Sequence, residues 1–393
     1  MTAAARRTAL QAAFALALGA AVSLGLARFS YALLLPPMRA DLQWSYALSG
    51  LMNAVNALGY LVGALSLPAL TARLGARRLL MLGSALAALF LALHGAVRSN
   101  EGLLLMRFAS GVASGFVFAT GGLLAARLAS DDTSHGVSAG LLLGIYYGGT
   151  GWGIVLCALM VPAFSDWPAA WVALGLAAAV ATAAMAWTVP PGQPEPPRRA
   201  AGRSADGLQL WRGVAGYFLF GVGYIGYMTF IVTLLREQAL GTGVIVAFYA
   251  LLGAGVIASP WLWAGLLQRE RGGGALARLN ALLAFSVILP VLWTHPAVAF
   301  VSGAIFGSVF LSVVASTTAM VRHNLAPERW TSGIAAFTVI FAFGQILGPA
   351  LVGWVSDHMG GLRPGLALSA AALLLGALVA GTQKPLAPSD SVD

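Results

Sequence analysis

Residues 107–118 read Arg-Phe-Ala-Ser-Gly-Val-Ala-Ser-Gly-Phe-Val-Phe, and residues 299–310 read Ala-Phe-Val-Ser-Gly-Ala-Ile-Phe-Gly-Ser-Val-Phe. Without a gap, Phe108/Phe300, Ser110/Ser302, Gly111/Gly303, Gly115/Gly307, Val117/Val309 and Phe118/Phe310 are identical. A looser echo relates residues 149–153 to 344–348, and Arg39 and Arg236 each close an apolar run before a short polar turn. Self-similarity of this kind marks a duplicated unit. Small residues four apart let helix backbones approach closely inside a bilayer, so the repeated glycines predict close helix crossings in both copies.

Composition sets the medium in which these copies fold. Of 393 residues, 59% are hydrophobic and 9% charged, and the mean hydropathy is +0.84. Soluble domains carry roughly 25% charged residues, so a water-soluble enzyme is excluded, and the apolar content excludes disorder. A spanning helix takes about 20 apolar residues, which leaves room for about a dozen spans and no sizeable soluble domain. Apolar runs last for whole spans and do not alternate as in an outer-membrane barrel. They fall at 9–36, 45–70, 78–97, 102–126, 136–163 and 168–189, then at 211–235, 243–267, 275–293, 297–321, 331–355 and 364–382. The expected fold is therefore an all-α polytopic membrane protein of twelve transmembrane helices in two pseudo-symmetric six-helix halves, 1–189 and 211–393. Between them, 190–210 contains PPGQPEPP and RRAAGR, a proline- and arginine-rich linker that cannot continue a helix. Two parallel halves on a long linker are what alternating access to a midplane site requires.

Net charge of +9 follows from 22 basic and 13 acidic residues. The basic residues lie singly between apolar runs, which argues against nucleic acid as a partner. With both termini inside, sixteen fall on the inner side and only four, Arg39, Arg98, Arg236 and Arg363, on the outer. The positive-inside rule then predicts a cytoplasmic (inner) membrane protein with cytoplasmic termini. Arg6 and Arg7 before an alanine-rich run also fit a signal peptide, but the run is longer than a usual signal core and its removal would leave eleven spans. The lone Cys157 excludes an intramolecular disulfide, and no His or Cys spacing suits a metal, so no metal or cofactor is expected. All five histidines fall at span ends or in loops, where solvated positions are expected. No GxxxxGK[ST] segment suggests ATP-driven transport.

Twelve spans, a basic central loop and half-to-half similarity resemble the major facilitator superfamily over essentially the whole chain. Arg73, Gly75, Arg77 and Arg78 are similar to the family's loop motif, which implies a gating role for them. The motif's aspartate is replaced by Ala72 and its leading glycine by Pro68, so a gate latch of the family type is absent or weakened. Arg107 with Gly111 and Gly115 resembles the fourth-span motif, whose arginine the family associates with substrate or proton coupling. RFSYALLLPPM, YYGGTGWG, GYIGYMTF and GQILGP look most like the YbfB/YjiJ-type branch.

Only Arg28 and Arg107 carry charge deep inside the expected spans, away from the inner-side ends where Arg78, Arg212 and Arg278 fall. A charge at the bilayer centre costs about 2.5–3.5 kcal/mol, so each either snorkels to headgroups or serves a cavity. No acid lies mid-span to pair with them; an unpaired guanidinium suits a carboxylate, sulfonate or phosphate. Polar residues at helical spacing add Asn53 and Asn56 in the second span, Tyr224 and Tyr227 in the seventh, and Gln345 in the eleventh. Tyr31 and Tyr146 complete the candidate substrate site. For all of these, hydrogen bonding between helices is the competing reading. With no mid-span carboxylate as a proton relay, either the substrate carries its own proton, or one anion is exchanged for another, or a residue near a cavity mouth titrates, for which Glu237 and Asp357 are the coupling candidates.

The leading expectation is a monomeric secondary carrier of a small organic anion, embedded in the lipid bilayer and working by alternating access. Efflux of amphipathic drugs or metabolites is the alternative, supported by the many aromatic residues. Against it, Gly348-Pro349 falls in the eleventh span, whereas the drug-antiporter signature places Gly-Pro in the fifth. A polytopic membrane enzyme would need a nucleophile or acid–base cluster, and none is visible.

Overall fold

The computed structural model describes residues 3–130, 137–189 and 209–386. The linker expected at 190–210 lies mostly outside the described residues. Twelve helices among the described residues are long and apolar enough to cross a membrane. They are α1 (Arg6–Leu42), α2 (Tyr46–Leu74), α3 (Ala76–His94), α4 (Asn100–Ser130), α5 (Ala139–Ala163) and α6 (Trp167–Thr188) in the first half. The second half has α7 (Trp211–Glu237), α8 (Thr242–Arg269), α9 (Gly274–Leu292), α10 (Pro296–Asn324), α11 (Ser332–His358) and α12 (Leu362–Gly381). Odd-numbered helices start at the face that carries the described termini, here the terminal face, and end at the distal face.

Capping fixes several starts. The hydroxyl of Ser45 accepts from Leu48 N at 3.1 Å, and an Asp166 carboxylate oxygen accepts from Ala169 N at 2.7 Å. Helix α1 runs past Pro36 and Pro37 to Leu42, further than the expected end at 36. It also contains a π-helical stretch, Ala21–Phe29, in which Ser30 N donates to Gly25 O at 3.1 Å. Wider turns of this kind often mark functional sites, and this one ends beside Arg28.

The duplication read from the sequence is present in the packing. Helix α2 packs on α4, α3 on α4 and α6, and α1 on α5; six positions later, α8 packs on α10, α9 on α10 and α12, and α7 on α11. The repeated glycines sit at matching crossings. A Cβ at Gly115 would stand 2.7 Å from Tyr60 O on α2, and Gly111 faces the Asn56 carbonyl. In the other half Gly307 faces the Leu252 carbonyl of α8, and a Cβ at Gly303 would stand 2.7 Å from the Phe248 ring. Both halves also end their first helix alike: Gln43 after α1 and Ala239 after α7 take left-handed φ values of 54° and 59°. Trp44 N donates to Arg39 O and Leu240 N to Leu235 O, each at 3.1 Å, closing both helices with Schellman-like turns.

The halves meet through α2 with α11, α5 with α8, and the distal part of α1 with α7. Helices α7 and α1 are the most enclosed of the twelve, so what they carry faces protein more than lipid. Overpacking a crossing costs about 1–3 kcal/mol. We expect Gly115→Leu and Gly307→Leu each to lower the thermal unfolding temperature of the purified protein, whereas Gly140→Leu, with open space around it, leaves it unchanged.

Candidate functional site

The two arginines within the spans sit near each other in different circumstances. Arg107 is 1% exposed, which rules out a guanidinium reaching the headgroups. Its Nη2 donates to Asn53 Oδ1 at 2.8 Å, its Nη1 to Ala27 O at 3.2 Å and its Nε to Met52 O at 3.3 Å. The guanidinium also stands 4.5 Å from the centre of the Tyr31 ring, whose hydroxyl donates to Ser49 O at 2.9 Å. Asn56 Nδ2 donates to Arg107 O and Ser110 Oγ at 2.9 and 3.2 Å. Expected as an unpaired cavity group, Arg107 is instead the knot that ties α4 to α1 and α2.

Arg28 is 3% exposed and closes the π-helical stretch of α1. Its Nη2 donates to Oε1 of Gln345 on α11, in the other half. The Tyr60 ring centre lies 5.5 Å from its guanidinium carbon, and its Nε is buried with no hydrogen-bond partner. Among the described residues no carboxylate pairs with either arginine; ion pairs elsewhere include Arg39–Glu237, Arg98–Asp41 and Arg278–Glu270. A hydrogen bond to a charged group contributes about 1.5–3 kcal/mol, comparable with the cost of the buried charge. Gln345 therefore solvates Arg28 without neutralising it, and of the guanidinium's five N–H donors the one on Nε is buried without a partner.

Beside this cation lie two tyrosines, one from each half: Tyr60 of α2 and Tyr224 of α7. Tyr147 of α5 and Tyr217 of α7 neighbour Tyr60 in turn. Tyr147 is also an electrostatic neighbour of Arg322, an exposed residue in the last turn of α10 at the terminal face. Of the residues singled out in the sequence, Arg28, Gln345 and Tyr224 thus meet between the halves, with Arg107, Tyr31, Asn53 and Asn56 beside them. Two others brace their own half: Tyr146 donates to Phe118 O at 2.6 Å, and the Tyr227 hydroxyl bonds Ser302 Oγ at 2.6 Å. The loop motif does the same, with Arg77 donating to the Val189 and Ala186 carbonyls at the end of α6, at 2.8 and 2.9 Å. Gly75 supplies the φ of 78° that the turn there requires, and Arg73 and Arg78 are exposed. His94, expected to be solvated, is fully buried and stacked on Trp171 with ring centres 4.4 Å apart, because the end of α3 faces α6 and not water.

A family model described as "Uncharacterised MFS-type transporter YbfB" matches residues 20–381. The chain belongs to this major facilitator family. It is a multi-pass membrane transporter and not an enzyme. No curated protein matches it. Among solved structures, the human organic anion transporter MFSD10 (TETRAN) superposes with a TM-score of 0.68 at 17% identity, covering 94% of this chain and 99% of that one. The nucleoside transporter NupG gives 0.68 at 15% identity, over 95% and 97%. A bacterial homologue of the human lysosomal transporter Spinster, inward-facing and unoccupied, gives 0.67 at 15% identity, over 96% and 97%. These likenesses are of fold.

In a transporter of this fold, the contacts between halves define its state. Among the described residues, the hydrogen bonds that join the halves gather at and above the Arg28 level toward the distal face. Asn53 Nδ2 donates to Thr229 Oγ1 at 2.6 Å, and the Tyr249 hydroxyl to Phe29 O at 2.6 Å. At the rim, the Tyr46 hydroxyl donates to Glu237 at 2.5 Å, and Arg39 lies 3.9 Å from the same carboxylate and over the Tyr46 ring. Asp357 accepts from Tyr46 N and Ala47 N at 2.9 and 2.8 Å, so a carboxylate of one half caps helix α2 of the other. The distal side is shut. Sequence reading missed Thr229 and Tyr249, although a polar group within an apolar span was the available signal for each.

Two measurements check this geometry. Arg107→Ala strands three buried acceptors whereas Arg28→Ala strands one, so the first should lower unfolding free energy by about 2 kcal/mol or more and the second by less. Thr233, buried and without a hydrogen-bond partner, lies on the α7 face shared by Thr229 and Glu237, and native Cys157 is buried. We expect Glu237→Gln with Asp357→Asn to speed maleimide labelling of a Thr233→Cys reporter; an unchanged rate would contradict the latch.

Proposed function

We propose that this transporter moves a small organic anion across the cytoplasmic membrane by alternating access, as a monomer with both termini in the cytoplasm. Arg28 carries the reading: a buried guanidinium between the halves that, among the described residues, has no carboxylate and an Nε without a hydrogen-bond partner. Arg107 supports it as a nearby second positive charge whose donors are already committed. With the basic loops cytoplasmic, the shut distal side faces away from the cytoplasm, the side from which this reading has the cargo enter. An anion entering from the cytoplasm pairs with Arg28 and competes with Gln345 for its donors, which loosens a bond between the halves.

Rocking of 1–189 against 211–393 then breaks the Asn53–Thr229 and Tyr46–Glu237 contacts and opens the distal side. Protonation of Glu237 or Asp357 would weaken the same latch, so these carboxylates couple transport to protons. The groups that face them are Arg39 and Tyr46 for Glu237, and the α2 amides of Tyr46 and Ala47 for Asp357. The loop at 73–78 braces the first half on the opposite face during this motion. One protein of similar fold is an organic anion transporter, which agrees with the reading.

A ligand of the folded state raises the unfolding temperature. In a thermal-shift screen, small carboxylates or sulfonates should stabilise the purified protein but not Arg28→Gln, and their neutral amides should stabilise neither. Equal shifts in both proteins, or shifts with cationic amphiphiles alone, would overturn the anion.

A further inference from the structure

We infer that the preferred cargo is a planar aromatic monocarboxylate, its carboxylate on Arg28 and its ring against an aromatic deck built from α7, α10 and α11. The inference rests on the anion reading and narrows it. Five rings form the deck: Tyr217, Phe220, Tyr224, Phe310 and Phe341. Phe220 and Phe341 are 5.4 Å apart with planes 6° from parallel, Tyr224 and Phe310 are 5.9 Å apart at 11°, and Tyr224 and Phe220 are 4.6 Å apart at 17°. Tyr217 lies 4.7 Å from Phe341, also at 17°. Mixed edge-to-face contacts are common among core aromatics, and Phe29 meets Phe310 in that way at 86°. The deck instead shares one ring orientation, which suits a further flat ring laid parallel to it.

The deck and the cation are joined through chain geometry. Phe341 and Gln345 are one turn apart on α11, so the residue that bonds Arg28 stands directly above a deck ring. Tyr224 is both a deck ring and an electrostatic neighbour of Arg28. Neither the Tyr224 nor the Tyr60 hydroxyl has a hydrogen-bond partner among the described residues. Charge sets the valence. Each nitrogen of Arg107 already donates, to Asn53, Ala27 or Met52, so Arg28 is the cation with an open nitrogen, and one positive charge is matched by one carboxylate.

The test is calorimetric titration of the detergent-purified full chain with sodium benzoate, cyclohexanecarboxylate, phthalate and benzamide. Benzoate should bind about tenfold tighter than cyclohexanecarboxylate, which has the same charge and size but no flat ring. Phthalate should bind more weakly, and benzamide not at all. Tyr224→Leu should lower benzoate affinity several-fold more than cyclohexanecarboxylate affinity, bringing the two together; Arg28→Gln and the milder Arg28→Lys should weaken both anions. If both anions bind equally and both depend on Arg28, the aromatic inference falls and the anion reading stands. If neither binds, or binding ignores both Arg28 variants, the anion reading falls and takes the inference with it.

Discussion

A positive charge that the protein surrounds but does not cancel governs this molecule. Among the described residues, Arg28 has one amide oxygen, one tyrosine face and no carboxylate, at a depth where a charge is costly. Its position follows from α1, one of the two most enclosed helices, whose π-helical stretch carries this residue in its last turn. Its one hydrogen-bond partner belongs to the opposite half. Any group that answers the charge therefore also acts on the contact between halves, and binding is coupled to the state of the transporter by construction.

Arg107 shows how differently the same side chain can be used. Carbonyl oxygens engage all three of its nitrogens and an aromatic face covers it, and it holds three helices of one half together. The half can then move as a body. Asn53 links this knot to Thr229, and Asp357 and Glu237 hold the rim, so the rigid unit is fastened to its partner at the distal side by a small number of polar contacts. Such contacts are individually modest, which suits a closure that must reopen.

Much of the architecture was legible because packing constraints leave traces in residue type. Glycines at helix crossings have no substitute, so Gly111/Gly303 and Gly115/Gly307 survived as identities and revealed the duplication. The matching turns after α1 and α7 left no such trace, since Gln43 and Ala239 hold left-handed φ values without glycine. Arg28 was legible as an unanswered charge. The commitment of Arg107 was not, because backbone carbonyls look the same at every position. The cap of Asp357 on α2 joins residues 311 apart, and the burial of His94 depends on which side of α3 meets α6; both are set by helix rotation, which hydropathy does not record.

The most direct measurement supplies the missing negative charge from within. In a Gln345→Glu protein the new carboxylate stands where the amide now accepts from Arg28. Loss of anion binding, together with a higher unfolding temperature than the parent without ligand, is the result expected if Arg28 is the uncompensated cation on which cargo depends. Undiminished anion binding by that variant would contradict it.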